Sequence, residues 1–142
     1  MPLNMSRQER EDFLTGVHVA VLSVASGDGG SPLAVPVWYT YEPGGTLNVT
    51  TGRATRKAVA IRAAGRFSLC AQDERPPYKY VTVEGPVVVE DATEDGRREL
   101  ARRYLGTEGG DAYIAANPTG TQVVFRMTPE HWLTADYGKV SG

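Results

Sequence analysis

YKYVTVEGPVVVE, residues 78–90, is the stretch that decides how this chain folds. Its valines at 81, 83, 87 and 89 follow a spacing of two, the period at which side chains of a β-strand return to the same face. No other stretch of the sequence predicts a strand of this length, and Gly85 lies near its middle. Because glycine tolerates a bend or a bulge, the stretch predicts one long strand that can change direction there.

Further strands are predicted on both sides of this stretch. Each is rich in valine, threonine and aromatic residues and is bounded by turn-forming residues, as at Gly27–Gly30 and Pro43–Gly45. In the second of them, Leu33, Val35, Val37 and Tyr39 share one face. The segments are residues 18–26, 32–42, 46–51, 67–72, 122–129 and 131–137. Short turns between most strands favour an antiparallel barrel over a parallel sheet with crossover helices.

Helices are predicted at a few points between the strands. Ser6 and Glu9 have the spacing of a capping box and begin a helix that runs to about Leu14. Residues 93–105 predict an amphipathic helix, followed by a glycine-rich link and a short segment, DAYIAAN. The apolar side of this helix is expected to carry Leu100, Tyr104 and Leu105. The chain, residues 1–142, is thus predicted to be a single, mainly β domain.

Composition and charge exclude several kinds of partner. The net charge is −2 and the pI about 5.7, whereas nucleic-acid binding usually requires a basic excess. No run approaches about 18 apolar residues, and the first residues lack the apolar core of a signal peptide. The single cysteine, Cys70, cannot form an internal disulfide and is expected to be a small buried hydrophobe. We therefore expect a cytoplasmic protein with neither a nucleic acid nor a membrane as partner.

The two histidines do not indicate a metal site. His18 lies in the first predicted strand and His131 in the last, and neither has cysteine or carboxylate companions at the spacing of a known site. No serine, histidine and aspartate triad or cysteine and histidine pair can be argued from the sequence either. Asp136 and Tyr137 fit a proton-donor pair and a surface strand end equally, so the catalytic residues are unknown from the sequence.

TTGRATRK, residues 50–57, is the most informative stretch for function. It predicts two hydroxyls at a strand end, a glycine turn, and two cations in the first turn of a helix that Thr55 caps and Gly65 ends. Helix-start amides lack intrahelical partners and attract anions, and arginine and lysine add charge there. A phosphate site and a solvated basic helix surface both fit this pattern.

This stretch resembles the phosphate-binding segment of the pyridoxamine 5′-phosphate oxidase superfamily. There, a strand ending in Tyr-Thr or Thr-Thr leads into Ser/Thr-Arg-Lys-Ala, and the corresponding residues here are Thr50-Thr51 and 55–58. Upstream, residues 35–51 (VPVWYTYEPGGTLNVTT) are similar to the Pro-Val-Trp-Tyr strand and hairpin of the family.

The resemblance continues downstream and covers roughly residues 6–140. FSLCAQ and YKYVTVEGPVVVE resemble the strand pair that ends in Glu-Gly, and MTPEHWLTADYGKV is similar to the C-terminal strand of many members. The resemblance implies a split β-barrel of six or seven antiparallel strands that forms a homodimer, with two cofactor sites at the subunit interface. Members of the superfamily bind FMN or the deazaflavin coenzyme F420.

The resemblance also implies which residues hold the cofactor. Its phosphate would be held by Thr51, Thr55, Arg56 and Lys57, and backbone groups of the Pro-Val-Trp segment would lie along its ring system. Gln72 would approach the ring or the ribityl chain. The acidic tail of F420 would require further basic residues at the mouth of the site, and Arg53 and Arg126 are the candidates, although the sequence does not place them. The candidate cofactor residues are Pro36, Val37, Trp38, Thr50, Thr51, Arg53, Thr55, Arg56, Lys57, Gln72 and Tyr80.

Two departures from the family pattern bear on the reaction. Tyr80 stands where the FMN-dependent oxidases of pyridoxamine phosphate have a glutamine at the ring, and residues 130–132 (Glu-His-Trp) replace their Arg-x-His element. Both favour an F420-dependent oxidoreductase that transfers a hydride to an unsaturated or quinone-like small molecule. An FMN-dependent oxidoreductase and a non-catalytic carrier of flavin, F420 or haem remain as alternatives.

Overall fold

A computed structural model describes residues 3–118 and 120–139. The two ends of the predicted domain, residues 1–142, lie outside the described residues. So does Val140, the last residue of the stretch MTPEHWLTADYGKV. Within this part of the chain the helices are α1 (Arg7–Thr15), α2 (Arg56–Ala64) and α3 (Glu94–Ala116). The strands are β1 (Ala20–Val24), β2 (Leu33–Val37), β3 (Thr40–Tyr41), β4 (Leu47–Gly52), β5 (Arg66–Asp73), β6 (Lys79–Asp91), β7 (Gln122–Met127) and β8 (His131–Asp136).

The strand β6 belongs to both halves of one curled antiparallel sheet. Its residues 79–86 pair with β5, and residues 79–84 also pair with β8. Its residues 87–91 pair instead with β7. The order through the sheet is β2-β1-β5-β6-β7-β4-β3, with β8 beside the first half of β6. The mainly β, split-barrel class predicted from the sequence is confirmed; the predicted strand 32–42 is divided into β2 and the two-residue β3.

The two halves separate at Gly85. A Cβ atom on this residue would lie 1.8 Å from the backbone oxygen of Thr128, on the segment that joins β7 to β8. Two backbone hydrogen bonds hold that segment in place, from Thr128 N–H to Pro86 O (2.9 Å) and from Glu130 N–H to Glu84 O (2.8 Å). The glycine is needed because the two backbones are in contact.

The core fills the concave side of the sheet. Val81 and Val83 are buried there, as the alternation predicts, but Val89 is 46% exposed because the second half of β6 lies nearer the edge of the core. Val37 and Tyr39 are buried as predicted, and Leu33 and Val35 pack against the core. Fully buried side chains of the core include Leu14, Leu22, Leu47, Val49, Ile61, Leu69, Phe125 and Met127.

The helix predictions are confirmed for α1 and α2 and only partly for α3. Ser6 and Glu9 form the predicted capping box, and Gly65 ends α2 with φ 73°. However, α3 does not end at residue 105 but continues to Ala116 through a kink at Gly106, where φ is 79°. The predicted glycine-rich link is therefore part of a helical hairpin.

Two side chains are more exposed than the sequence predicts. Leu105 was expected on the apolar side of α3 but is 44% exposed, because the helix kinks at the next residue. Cys70 was expected to be buried but is half-exposed, because it alternates with the buried Leu69 and Ala71 and so lies on the outer face of β5. None of the described helices is long and apolar enough to span a membrane.

The close approach at Gly85 leads to the first prediction. Replacing Gly85 by alanine should lower the free energy of unfolding by about 3 kcal/mol, since neither backbone can move without breaking sheet hydrogen bonds. Urea unfolding followed by circular dichroism measures the change. The control is Gly120→Ala, where nothing lies within 4 Å of the added methyl group and the change should stay under about 1 kcal/mol. Equal stability of the two variants would show that the bend does not need glycine.

Candidate functional site

A cavity of about 330 Å³ lies where the chain passes from β2 towards β3. One wall belongs to the barrel and the other to the two arms of α3. This volume lies within the range of small-molecule pockets. The barrel wall consists of Val19, Pro36, Val37, Trp38, Thr50, Lys57 and Gln122, and the α3 wall of Arg97, Leu100, Ala101, Tyr113 and Ile114.

Five of the predicted cofactor residues line this cavity together: Pro36, Val37, Trp38, Thr50 and Lys57. They come from three separate segments, which the sheet and the start of α2 bring to one place. Lys57 is half-buried in the first turn of α2, and its ammonium group has no hydrogen bond or ion pair with any residue that the structure describes. An unpaired cation beside a helix start is a suitable partner for an anionic group.

The predicted hydroxyls of Thr51 and Thr55 bind each other rather than line the cavity. Their Oγ1 atoms are 3.1 Å apart, and Thr51 is only 5% exposed. The Thr55 hydroxyl also donates to Gly52 O (2.9 Å) and accepts from Ala58 N–H (3.3 Å), as the predicted cap of α2. In this arrangement the two threonines fix the start of the helix and so position Lys57.

Arg53 and Arg56 do not line the cavity either. The Arg53 guanidinium lies 2.5 Å from a carboxylate oxygen of Asp91, at the end of β6. Arg56 is exposed. The pKa of Asp28, in the turn between β1 and β2, is lowered by hydrogen bonds from the Ser26 hydroxyl and from the Gly30 N–H, and to a smaller extent by the charge of Arg56.

Gln72 and Tyr80 lie together, but away from the cavity wall. They are cross-strand partners on β5 and β6, with Gln72 exposed and Tyr80 half-exposed. Their strands belong to the same half-sheet as β1, which carries the apolar side chain of Val21 outward beside Cys70. The cofactor roles of Gln72 and Tyr80 therefore stay predictions, because they depend on what covers this outer face of the sheet.

An aromatic cluster connects the barrel to α3. The ring of Trp38 stacks on that of Tyr104, with centroids 4.8 Å apart and planes inclined by 6°, and the Tyr113 ring is tilted against it at 5.6 Å. The Tyr104 hydroxyl donates to His18 O (2.6 Å) and accepts from the N–H of Tyr39 (3.1 Å). These contacts hold the α3 wall against the segment that follows β2.

Arg97 is the principal functional candidate that the sequence did not reveal. Its side chain is 5% exposed at the cavity wall, with its guanidinium donating to Gln122 Oε1 and to Asn117 O (2.6 Å). Arg97 is one of four arginines and two glutamates in the first half of α3, and nothing in the local pattern separates it from the solvated charges around it. Only the folded hairpin shows that this residue turns inward.

A metal centre or acid–base chemistry would need titratable groups of particular kinds, and among the described residues near the cavity Tyr39 has the most strongly shifted pKa. Burial raises the pKa of Tyr39 well above its ordinary value, and its hydroxyl donates to Leu14 O (2.6 Å) inside the core. In the described part of the chain, no three histidine, cysteine, aspartate or glutamate side chains come together as a metal site would require. The arrangement can bind and orient an anionic, ring-containing molecule.

Comparison with known proteins agrees with this architecture. The family model for pyridoxamine 5′-phosphate oxidase matches residues 6–136. No curated protein matches the sequence. A conserved hypothetical protein from Mycobacterium tuberculosis superposes with a TM-score of 0.78 at 22% identity, over 98% of this chain and 89% of that one.

Two further solved structures share the fold at similar identity. An F420 reductase superposes with a TM-score of 0.69 at 21% identity, over 87% of this chain and 94% of that one. An FAD-binding protein from Mesorhizobium loti superposes with a TM-score of 0.65, also at 21% identity, over 92% and 94% of the two chains.

The hydroxyl of Tyr104 provides a test of how the α3 wall is held. Tyr104→Phe should lower the free energy of unfolding by about 1–2 kcal/mol, because it removes one hydrogen bond and leaves the Tyr39 N–H without its acceptor. Chemical denaturation measures this value. Tyr113→Phe is the matched control, since its hydroxyl has no partner among the described residues, and it should change stability by less than about 0.5 kcal/mol. A neutral Tyr104→Phe would contradict this anchoring role.

Proposed function

This chain belongs to the pyridoxamine 5′-phosphate oxidase family, and we propose that it is an oxidoreductase that uses coenzyme F420 to transfer a hydride to an unsaturated or quinone-like small molecule. One observation carries the proposal: the cavity beside Trp38 gathers five cofactor positions expected from the family. Among them is Lys57, whose ammonium group has no ion pair within the described part of the chain. The solved structures of an F420 reductase and an FAD-binding protein share its fold.

The cavity suits a tricyclic ring that carries a phosphate. Backbone groups of Pro36 and Val37, with the Trp38 backbone, would lie along the ring, and Lys57 with the first amides of α2 would hold the phosphate. Arg56 on the same turn would add charge from the solvent side. When bound, the cofactor supplies the two-electron chemistry, so the protein has to bind, orient and shield it.

The environment of two arginines favours FMN as the alternative cofactor. Arg53 and Arg126 were the cations expected to meet the acidic tail of F420. Arg53 is paired with Asp91, and Arg126 Nε lies 2.6 Å from a carboxylate oxygen of Glu90. A cofactor without the tail would leave both pairs intact. A titration of the protein with F420 and with FMN decides between the two cofactors.

We further propose a homodimer that closes the cavity. Val19 and Pro36, which line it, continue into an exposed face formed by β2, β1, β5, β6 and β8. On this face Val19 is 59% exposed, Val21 43% and Leu133 62%. Exposed apolar side chains on one face of a sheet are typical of protein interfaces. A second copy of the chain on this face would cover Val19 and Pro36 and exclude water from the ring.

The phosphate site is tested by removing its cation. Lys57→Ala should weaken the binding of F420, or of FMN if that is the cofactor, by about tenfold to a hundredfold, the range for losing a charge-assisted hydrogen bond. Intrinsic fluorescence titration of purified protein gives the dissociation constants. Arg7→Ala on α1 removes the same charge at a residue that does not line the cavity and should leave the dissociation constants unchanged.

Several results would contradict the proposal. If neither cofactor binds the wild-type protein, or if Lys57→Ala binds as tightly as Arg7→Ala, the phosphate site is not at Lys57. Tight binding with no oxidation or reduction of any acceptor would instead favour the non-catalytic carrier.

A charged substitution tests the proposed dimer interface. Val21→Glu places a carboxylate in the centre of the apolar face and should convert the dimer to a monomer, because an unpaired charge cannot be buried there. Light scattering after size-exclusion chromatography measures the mass, and the half-exposed Cys70 beside Val21 should react faster with a thiol reagent in the monomer. Val59→Glu, on the exposed side of α2, is the control and should remain dimeric. A monomeric wild-type protein contradicts the proposal directly.

A further inference from the structure

Gln122 lines the cavity, although the sequence gave no reason to expect it among the residues that hold the cofactor. It begins β7 and is the ladder partner of Gly52, the last residue of β4. The turn after Gly52 leads into α2, and a backbone hydrogen bond from Arg53 N–H to Thr121 O (2.6 Å) holds it to the start of β7. The two ends of this one turn therefore bring Gln122 and Lys57 to the same cavity.

The orientation of the Gln122 amide is determined by Arg97. The guanidinium Nε of Arg97 donates to Gln122 Oε1. Because a guanidinium only donates, the amide oxygen has to face it and the amide nitrogen has to face away from it. Arg97 is 5% exposed and donates as well to Asn117 O (2.6 Å), which keeps its guanidinium in place. The positive charge also polarises the amide and makes its N–H groups better donors.

The amide nitrogen of Gln122 is a donor at the cavity wall. It has no hydrogen bond to any residue in the part of the chain that the structure describes. The side chain is half-buried, so a molecule that fills the cavity would exclude water from its N–H groups. A buried donor without an acceptor costs about 1–3 kcal/mol. The molecule therefore has to present an oxygen acceptor to Gln122.

The charge of the cavity favours an anionic acceptor. Lys57 and Arg97 both line it, and none of the described lining residues is an aspartate or a glutamate. The side chain of Thr50 also lines the cavity and carries a hydroxyl group. An ammonium, an amide and a hydroxyl without a competing carboxylate suit a group that has several oxygens and a negative charge.

We propose that Gln122 is a further ligand of the cofactor phosphate: its Nε2–H donates to a phosphate oxygen that Lys57 also binds, and Arg97 holds the amide in the orientation that this requires. The inference rests on the proposed function, because the phosphate is that of the proposed cofactor.

Two ligands that differ only in the phosphate test the inference by binding. They are FMN and riboflavin or, if F420 is the cofactor, F420 and its phosphate-free core. Fluorescence titration gives the ratio of their dissociation constants, which we call the phosphate preference. Gln122→Glu keeps an oxygen for Arg97 but replaces the donor by a carboxylate. It should reduce the phosphate preference about tenfold to a hundredfold and change the binding of the phosphate-free ligand by less than about twofold.

A control variant and a second measurement accompany this titration. Gln8→Glu introduces the same charge at an exposed residue of α1 that does not line the cavity, and it should leave the phosphate preference unchanged. In wild-type protein labelled with ¹⁵N, the side-chain amide signals of Gln122 are those that Gln122→Glu lacks. They should move downfield with the phosphate-bearing ligand and clearly less with the phosphate-free one.

Each contrary result has a distinct meaning. If Lys57→Ala abolishes the phosphate preference and Gln122→Glu does not, the phosphate site stands and Gln122 is not part of it. If Gln122→Glu weakens both ligands equally, the amide contacts another part of the molecule, which also overturns the inference. A wild-type protein that binds neither cofactor overturns the proposed function and this inference with it.

Discussion

The contact between the backbone at Gly85 and the backbone at Thr128 is the constraint on which the rest of the structure depends. It allows one strand to leave the half-sheet of β5 and β8 and enter that of β7 and β4 without a break in its hydrogen bonding. Since the two half-sheets then face each other across one core, the chain between β2 and β3 must cross from one to the other. The cavity lies at that crossing.

The two walls of the cavity are held in place by different kinds of contact. The barrel wall is held by sheet hydrogen bonds and by the cap of α2, so the position of Lys57 is determined by the same backbone that builds the core. The α3 wall is held mainly by side chains, through the stacking of Trp38 on Tyr104 and the bonds of the Tyr104 hydroxyl. A wall fixed by the backbone is thus combined with a wall that is held mainly by side chains.

The sequence predicted well those features that depend on neighbouring residues. Alternating valines determine the strands, the Ser6 and Thr55 caps determine two helix starts, and the helix-start cations near Thr50 follow from short-range chemistry. These signals, with the family resemblance, located five residues of the cavity wall. They required only that neighbouring residues behave as their own propensities dictate.

What the sequence did not predict depends on distant partners. Gly110 packs on the backbone of Arg102, where a Cβ would lie 2.6 Å from the Arg102 nitrogen, so glycines typical of a link here allow two helical arms to touch. The pairing of Arg53 with Asp91 and the burial of Arg97 likewise join segments far apart in the chain. Residue type alone gives no information about which charges will be neutralised in this way.

The path of the chain through α3 has a consequence for how such proteins can diversify. The excursion leaves the sheet at Asp91 and returns at Val123, and these two residues are direct partners in the ladder between β6 and β7. The ladder between β6 and β7 therefore forms independently of the segment that is inserted between them. Exchange of this one insert would remodel the α3 wall of the cavity and leave its barrel wall unchanged, so the interval between β6 and β7 is where the shape of the cavity can vary without loss of the fold.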